Sequence, residues 1–387
     1  MSHSPITRLL DLNGLLRKKS HFLLGPRSTG KTFLIRKKLK GECVYLDLLD
    51  SDYFMSLSTR PAGLSGIIEA DRFADTGIVV IDEVQLIPTL LNEVHRLIES
   101  RGWRFLLTGS SARKLKSGHG NLLAGRAWVA NLFPLVSNEL KKMDLDKYLR
   151  WGGLPQVLTS ESPWDELKAY AQTYLKEEIQ QESLVRSLPN FVAFLKFAAL
   201  SSGTALNFAS LASDAGLKAS TVRDYFSILE DTLIGFNLPS WRMSKKRKLV
   251  ATPKFYLFDT GVTHVLSGTR SLDRNSDLYG RAFEQFIAME LRAWKSYRGI
   301  DDELSYWADY QGHEVDFIVG DRIAIEVKAT TRTSSNDLKN LRMIRAETKV
   351  KHSFLVSQDR VARVQDGIQC LPWDRFLKKL WNGELDS

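Results

Sequence analysis

Residues 25–32 read Gly25-Pro26-Arg27-Ser28-Thr29-Gly30-Lys31-Thr32 and decide the fold of the first part of the chain. They fit the spacing G-x-x-x-x-G-K-[ST], in which two glycines bracket four residues before a lysine and a hydroxyl residue. An apolar run over residues 22–24 precedes them, and a helical stretch over residues 33–40 follows. A strand, a glycine-rich loop and a helix in this order predict a parallel α/β sheet with an anion-binding loop.

All eight residues of this loop are predicted to contact a nucleoside triphosphate. Glycines let backbone N–H groups wrap the phosphates, and the N-terminus of the following helix adds its positive end. Lys31 is expected to reach the β- and γ-phosphates, and Thr32 to offer a hydroxyl to Mg²⁺. A glycine-rich turn with a chance Lys-Thr pair is the alternative, but it leaves the flanking strand and helix unexplained. The sequence therefore predicts binding of ATP, or of GTP, together with Mg²⁺.

A second motif follows another apolar strand, over residues 78–81. This strand delivers Asp82 and Glu83 to the carboxyl edge of the sheet, where ligands bind in open α/β folds. We expect Asp82 to hold Mg²⁺ through water, and Glu83 to orient and activate the water that attacks the γ-phosphate. Together with the loop, this pair predicts ATP hydrolysis.

Two further positions accompany these motifs. A strand over residues 104–107 leads to Thr108 and Ser110, either of which would hold the γ-phosphate or the attacking water; a helix N-cap explains Ser110 almost as well. Arg126 precedes the next strand and is a candidate for the γ-phosphate of a neighbouring subunit, which predicts a homo-oligomer formed through this domain. A solvated or salt-bridged Arg126 is the alternative.

Composition places the chain among globular proteins: 43% of its 387 residues are hydrophobic and 26% are charged. Cys43 and Cys370 are far apart, which argues against a disulfide framework or a zinc cluster and favours a reducing cytoplasm. No run approaches the roughly 18 apolar residues of a membrane helix, and the first residues lack the order of a signal peptide. A cytoplasmic location without a membrane partner is expected.

The spacing of apolar residues predicts four domains. Residues 1–140 alternate strands and helices, and residues 141–202 form a helical lid or linker. Residues 203–265 contain two short helices and a hairpin, and residues 266–387 combine a long helix with several strands.

Residues 203–265 fit a winged helix. A helix over residues 208–215, a turn at Gly216 and a helix over residues 220–232 are expected, followed by a hairpin over residues 235–257. The net charge of +9 favours polyanionic partners, and DNA is the partner expected here. Contact is predicted for the second helix and for the basic hairpin tip, through Lys218, Ser220, Thr221 and Arg223 and through Lys245, Lys246, Arg247 and Lys248. Winged helices also contact proteins, and that alternative stays open.

The last domain carries acids and a lysine at strand spacing. Asp316 is expected to begin an apolar strand, and Glu326 and Lys328 lie two residues apart in the next strand, hence on one face. Glu284 lies on an amphipathic helix. We predict that Glu284, Asp316 and Glu326 bind Mg²⁺, and that Asp316, Glu326 and Lys328 act in catalysis on a phosphodiester. An ion-paired Glu326–Lys328 face without activity is the alternative.

In this order the motifs resemble the AAA+-type ATPases that carry a C-terminal DUF4143 region. The resemblance covers nearly the whole chain and rests also on Trp151-Gly152-Gly153-Leu154-Pro155, on residues 253–261 and 280–284, and on His313-Glu314-Val315-Asp316-Phe317. It implies a P-loop AAA+-type parallel sheet, a helical linker, a winged helix and a C-terminal restriction-endonuclease-like α/β domain.

The carboxylate–lysine set of the last domain is similar to the PD-(D/E)xK nuclease signature, with Glu284 matching the helix carboxylate. The strand before the turn reads Trp307-Ala308-Asp309, where relatives often have a basic residue. Two functions follow as hypotheses. The first is an ATP-driven protein that binds or remodels DNA, with metal-dependent nuclease activity. The second is a nucleotide-dependent switch with an inactive nuclease-like interaction domain.

Overall fold

The computed structural model describes residues 6–109, 123–174, 187–241 and 250–386. They form two compact units. The N-terminal unit comprises Pro5–Phe133 together with Asp231–Ile234, and the second unit comprises Pro134–Glu230 and Gly235–Ser387. The finer division into four domains stays a prediction.

The N-terminal unit contains a five-stranded parallel sheet with the strand order β2-β3-β4-β1-β5. The strands are β1 (Ser20–Leu24), β2 (Val44–Asp47), β3 (Ile78–Asp82), β4 (Arg104–Gly109) and β5 (Ala127–Asn131). β1 and β3 are apolar and almost wholly buried, as expected for parallel strands covered on both faces. The predicted parallel α/β sheet is confirmed.

Five helices accompany this sheet among the described residues: α1 (Leu12–Lys18), α2 (Lys31–Lys38), α3 (Ser51–Thr59), α4 (Leu64–Glu69) and α5 (Leu90–Arg101). α5 buries Leu90, Leu91, Val94 and Leu97, the one-sided spacing of an amphipathic helix. α2 begins and ends two residues before the predicted helix, because its first turn starts at the lysine of the loop itself.

The second unit begins with helices. These are α6 (Leu145–Trp151), α7 (Pro155–Thr159), α8 (Pro163–Ala169) and, after a π-helical turn at Tyr170–Tyr174, α9 (Leu188–Leu200). Then come α10 (Phe208–Ala215) and α11 (Ala219–Asp231), and strands β6 (Gly235–Leu238) and β7 (Lys254–Leu257), which pair antiparallel. Gly216 ends α10 with a left-handed backbone (φ 66°), a conformation that glycine adopts without steric cost. The predicted helical region is confirmed, as are the two short helices and the pairing of the hairpin strands.

The rest of the second unit is a mixed sheet with helices. α12 (Thr260–Ser267) and α13 (Asp277–Arg298) precede it, and its strand order is β12-β13-β11-β10-β9-β8. The strands and remaining helices are β8 (Leu304–Ala308), β9 (Glu314–Val319), β10 (Ile323–Lys328), α14 (Lys339–Glu347), β11 (His352–Ser357), β12 (Arg363–Gln365), β13 (Ile368–Pro372) and α15 (Trp373–Trp381).

In this sheet β8, β9 and β10 form an antiparallel meander, and β11 continues parallel to β10. Two long side chains, Trp241 and Trp307, pack into its core with Ile318, Leu341 and Leu355. The C-terminal sheet domain predicted from the sequence is confirmed. In the described part of the chain, no helix combines the length and the apolar character needed to cross a membrane.

Candidate functional site

The loop between β1 and α2 is tightly packed and sharply curved. A Cβ atom on Gly25 would lie 2.3 Å from the carbonyl oxygen of Leu132, so only glycine fits there. Ser28 (φ 62°) and Gly30 (φ 91°) adopt the left-handed conformation. Alternating left- and right-handed residues turn successive backbone N–H groups into a concavity that suits an anion. The fold therefore gives residues 25–32 the shape that phosphate binding requires.

The side chain of Lys31 lies back against this loop. Its Nζ atom donates hydrogen bonds to the carbonyl oxygens of Gly25 (2.6 Å) and Pro26 (3.2 Å), and the residue is buried. Thr29 Oγ1 also donates to Pro26 O at 2.8 Å. The ammonium group is thus held beside the curved backbone, where a phosphate would share it.

Arg8 is a residue of this site that the sequence did not reveal. Its buried guanidinium donates from Nη1 to Thr29 O and from Nη2 to Phe133 O, each at 2.6 Å. These bonds tie the phosphate-binding loop to the segment that follows β5. Arg8 belongs to no recognisable motif, so no signal in a single sequence identifies it.

Asp82, at the end of β3, accepts hydrogen bonds from three side-chain hydroxyl groups. Thr32 Oγ1 donates to its Oδ2 at 2.9 Å, Tyr45 Oη also donates to Oδ2, and Thr108 Oγ1 donates to Oδ1. Burial, followed by the bond to Asp82, raises the pKa of Tyr45 above its usual range, so Tyr45 stays a donor. A hydroxyl and a carboxylate oxygen side by side are ligands that Mg²⁺ prefers. The two predicted metal ligands of the loop and of β3 are therefore adjacent and fit this ion.

Glu83 directly follows Asp82 and is turned by a left-handed backbone (φ 61°). Its backbone N–H donates to Thr108 Oγ1 at 3.0 Å, and its Oε2 accepts a hydrogen bond from Gln85 Nε2. Thr108 thus connects the two acids at the carboxyl edge of the sheet. The hydrogen bond from Gln85 therefore occupies one oxygen of the Glu83 carboxylate, the group that is predicted to activate water.

Two other positions, Ser110 and Arg126, are predicted to belong to the ATP site. Ser110 falls outside the described residues, so its role stays a prediction. Arg126 Nε donates to Glu99 Oε1 of α5 at 2.5 Å, and about a third of the Arg126 side chain is exposed. This is the salt-bridged arrangement weighed as an alternative, although an exposed ion pair of this kind contributes little to stability.

The helices α10 and α11 present part of the predicted DNA-contacting set to solvent. Lys218, Ser220 and Arg223 are exposed and Thr221 is half-buried. The guanidinium of Arg223 lies 5.0 Å from the ring centre of Phe208. The basic stretch of Lys245, Lys246, Arg247 and Lys248 lies outside the described residues.

The apolar residues of these two helices predict a small core of Ala209, Leu211, Ala212, Ala215 and Leu217 with Val222, Tyr225, Phe226 and Leu229. This core forms with one exception, and Ala215 and Leu217 are half-buried in it. Val222, Tyr225, Phe226 and Leu229 are buried, and Phe191 and Phe194 of α9 pack on Tyr225 with ring centres 4.9 Å and 5.2 Å away. Ala209 was expected in this core but is exposed. The buried face of α10 is instead centred on Leu211 and Ala212.

Three carboxylates of the second unit have ligand atoms within 4.8 Å of one another: Glu284 of α13 with Glu314 and Asp316 of β9. We call these three the acidic cluster. The prediction that Asp316 begins its strand is wrong. The strand already starts at Glu314, because β9 pairs with β8 from that residue onwards. Glu314 then lies on the same face as Asp316, since side chains repeat every two residues along a strand. Sequence reasoning missed Glu314 because the strand start was placed too late.

Glu326 and Lys328 of β10 lie beside this cluster as an ion pair. Lys328 Nζ and Glu326 Oε1 are 2.7 Å apart, and the Glu326 side chain is buried. Asp316 Oδ2 accepts a hydrogen bond from the backbone N–H of Val327 at 2.7 Å, which fixes β9 against β10. Glu326 Oε2 is buried and accepts no hydrogen bond from any described residue.

Burial is the main cause of the unusual electrostatics of these groups. It raises the pKa of Asp316 well above its usual range, with Glu326 and Glu284 adding repulsion. It also raises the pKa of Glu326 to about 7, against the opposing effect of Lys328. Clustered acids with raised pKa values and a neighbouring lysine are a combination that functional sites share. The carboxylates of such a set would suit a bound cation.

A cavity of about 790 Å³ opens on these residues. Glu284, Asp316 and Lys328 line it together with the exposed guanidinium groups of Arg281 and Arg332. Acids at one side and cations around them would suit a phosphate group whose charge is shared with a bound cation.

Family comparisons agree with this architecture. Residues 17–141 match a family described as AAA domain, residues 142–273 match a domain of unknown function, DUF8612, and residues 279–376 match a domain of unknown function, DUF4143. The class expected from the sequence, an AAA-type P-loop ATPase with a C-terminal DUF4143 region, is confirmed. In the sequence of this chain, the DUF8612 region lies between the AAA domain and the DUF4143 region.

Three similar proteins are each described as an uncharacterized protein. Proteins of Mycobacterium bovis and Mycobacterium tuberculosis are each 28% identical over 383 residues, which is 92% of this chain and 84% of theirs. A protein of Methanocaldococcus jannaschii is 22% identical over 337 residues, or 79% of this chain and 73% of its own.

Two solved structures are similar over part of the chain. A Walker-type ATPase of Pyrococcus abyssi has a TM-score of 0.46 at 16% identity, over 66% of this chain and 93% of that one. The Orc1 protein of Aeropyrum pernix in complex with DNA has a TM-score of 0.26 at 12% identity, over 68% of this chain and 94% of that one.

Proposed function

We propose that the N-terminal unit binds ATP with Mg²⁺ and hydrolyses it. The observation that carries this proposal is the 2.9 Å hydrogen bond from Thr32 to Asp82, since it joins the phosphate-binding loop to the acidic end of β3. The backbone N–H groups of residues 25–32 and the Lys31 ammonium would bind the β- and γ-phosphates. Thr32 and Asp82 would hold Mg²⁺, which neutralises charge on those phosphates when bound.

Glu83 is the proposed general base. It would take a proton from a water molecule whose oxygen bonds to the γ-phosphorus, while the bond to the bridging oxygen of ADP breaks and inorganic phosphate leaves. The Glu83 carboxylate accepts a hydrogen bond from Gln85, so the bond must open or shift for the carboxylate to reach that water. Thr108, which is hydrogen-bonded to both the Asp82 carboxylate and the Glu83 backbone, would hold the two acidic residues in a fixed relative position.

Equilibrium binding of a fluorescent ATP analogue to the full chain tests the first half of this proposal. Lys31→Ala is expected to weaken binding strongly, because the ammonium that shares the phosphates is removed. Lys40→Ala removes an exposed lysine just after α2 and serves as the matched control, with unchanged binding expected. Equal affinity in the wild type and both variants would refute the assignment of residues 25–32.

We also propose that the second unit contacts DNA through residues 203–265. The exposed Lys218, just before α11, and the exposed Ser220 and Arg223 on α11 support this, together with the basic residues 245–248 between β6 and β7 in the sequence. The test compares ATP turnover with and without duplex, branched and single-stranded DNA, and measures DNA binding at several salt concentrations. Without stimulation and without salt-sensitive binding, DNA would have no part in the function.

Metal-dependent cleavage of DNA is the second candidate function, favoured by the approach of Asp316, Glu326 and Lys328 on adjacent strands. Asp316→Ala is expected to abolish a metal-dependent nuclease activity, with Asp301→Ala, at an exposed position between α13 and β8, as the control. If the wild type cleaves no DNA and Glu326→Ala leaves cellular function intact, the second unit is an interaction domain governed by nucleotide state.

A further inference from the structure

Lys254 lies where a metal ion would be expected in the acidic cluster. Its Nζ atom is 3.0 Å from Glu284 Oε1 and 2.5 Å from Glu314 Oε1, and only 3% of its side chain is exposed. The ammonium also lies 5.4 Å from the ring centre of Tyr306. One cation thus bridges two of the three carboxylates of the cluster.

Tyr256, two residues further along β7, completes this arrangement. Its hydroxyl donates to Glu284 Oε1 at 2.5 Å, the same oxygen that receives Lys254. Alternation along a strand puts Lys254 and Tyr256 on one face of β7, so a single strand delivers both groups to Glu284. The contact is therefore built by the fold and does not depend on a flexible surface side chain.

A buried lysine is costly unless its charge is matched, and here the match is close. The raised pKa of Lys254 reflects this balance: burial alone would lower it, but Tyr256, Glu284, Asp316 and Glu314 outweigh that effect. The two short contacts to Glu284 and Glu314 make the ammonium the cation that these carboxylates bind.

A second observation concerns the Glu326 carboxylate beside the cluster, whose negative charge is only partly compensated. Glu326 Oε2 is buried without a hydrogen-bond partner among the described residues, although Oε1 of the same carboxylate is paired with Lys328. An ionised buried oxygen without a donor is unfavourable, and a cation or a donor from a ligand would satisfy it.

We propose that Lys254 is the resident cation of the acidic cluster, and that a divalent metal ion binds there only by displacing the Lys254 ammonium from Glu284 and Glu314. No sequence motif links Lys254 to Glu284, because the two residues are thirty positions apart. The consequence is a cation site that the Lys254 ammonium already fills in the folded protein. This inference does not depend on ATP hydrolysis.

Mn²⁺ binding to the full chain, measured by titration calorimetry without nucleotide or DNA, tests this competition. All proteins would carry Asp82→Asn, so that the metal ligand of the ATP site does not contribute. Lys254→Met is expected to bind Mn²⁺ at least about tenfold more tightly than the protein with Lys254, because the internal competitor is gone. Adding Glu284→Gln and Glu314→Gln to Lys254→Met should abolish the gain.

Lys339→Met, at an exposed position of α14, is the matched control and should leave Mn²⁺ binding unchanged. Lys254→Gln is the second variant, used if Lys254→Met does not fold, because its amide still donates to a carboxylate without the charge. Equal Mn²⁺ affinity with Lys254 and with either replacement overturns the proposal, as does a gain that survives loss of Glu284 and Glu314. Because no strand cleavage is measured, an inactive nuclease site would not affect this result.

Discussion

Thr32 and Asp82 are fifty positions apart in the chain, yet the hydroxyl of one lies 2.9 Å from the carboxylate of the other. The parallel sheet produces this contact, because β1 and β3 both end at its carboxyl edge on either side of β4. Hydrogen bonds from the hydroxyl groups of Tyr45 and Thr108 also hold the Asp82 carboxylate in place. The proposed Mg²⁺ site is therefore positioned by three strands rather than by the loop alone.

Tyr45→Phe tests the part of this network contributed by β2. Removing the hydroxyl leaves Asp82 less well oriented, so the Mg²⁺ concentration for half-maximal ATP hydrolysis should rise about tenfold, with little change in the maximal rate. ATP turnover titrated with Mg²⁺ measures both quantities. Tyr53→Phe on α3 is the control, and an unchanged Mg²⁺ dependence in Tyr45→Phe would show that the phenol does not position Asp82.

Gly25→Ala tests the close packing of the loop. The added methyl group would lie 2.3 Å from Leu132 O, a contact that backbone must move to relieve, so ATP affinity and the melting temperature should both fall. Gly66→Ala is the matched control, since a Cβ atom there meets nothing within 4 Å and alanine favours helix α4 by about 0.5–1 kcal/mol. A Gly25→Ala protein that binds ATP normally would contradict this account of the loop.

Arg126→Ala separates two roles of one side chain. If Arg126 reaches the γ-phosphate of a neighbouring subunit, turnover should fall by about 10³-fold while ATP binding persists, and wild-type turnover per chain should rise with protein concentration. Glu99→Ala breaks the ion pair with Arg126 but keeps the guanidinium, so its turnover should stay near that of the wild type. Full turnover in Arg126→Ala would leave only the surface ion pair.

Glu290 makes the second unit sensitive to pH. Burial raises its pKa from 4.5 to about 7, although Ser137 and Trp381 donate hydrogen bonds that act against the shift. Because the folded state then binds the proton more tightly than the unfolded state, this group stabilises the fold fully below pH 4.5. Its contribution is lost as the pH rises towards 7, and the loss is on the order of 3 kcal/mol.

Glu290→Gln carries no titrating proton, so its stability should depend less on pH between about 5 and 7 than that of the wild type. Urea unfolding followed by tryptophan fluorescence at several pH values measures this slope. Glu161→Gln, at an exposed position, should keep the wild-type slope. Parallel profiles for the wild type and Glu290→Gln would exclude Glu290 as the source.

Local patterns predicted the fold well where short-range rules apply. The helix over residues 208–215 has the bounds expected, and the loop and the apolar strands over residues 22–24, 78–81 and 104–107 lie where their spacing placed them. Asp316 was placed at a strand start because Glu314 and Val315 were assigned to the turn. Pairing with β8 decides that boundary, and pairing is not visible in one sequence.

The residues that sequence reasoning missed share one property: each reaches its site from a distant segment. Arg8 bonds Thr29 and Phe133, and Lys254 enters a cluster built by α13 and β9. Neither belongs to a motif, and their roles depend on sheet order and register. Tyr45 likewise faces Asp82 only because β2 pairs with β3.

Single-turnover hydrolysis of ATP by the wild type and by Glu83→Gln is the most direct test of the central claim, that residues 25–32 and the acidic pair of β3 form one hydrolytic site. We expect Glu83→Gln to bind Mg²⁺ and ATP with near wild-type affinity but to cleave ATP about 10²–10⁴-fold more slowly, so that intact ATP stays bound. Cleavage by Glu83→Gln at the wild-type rate would contradict it.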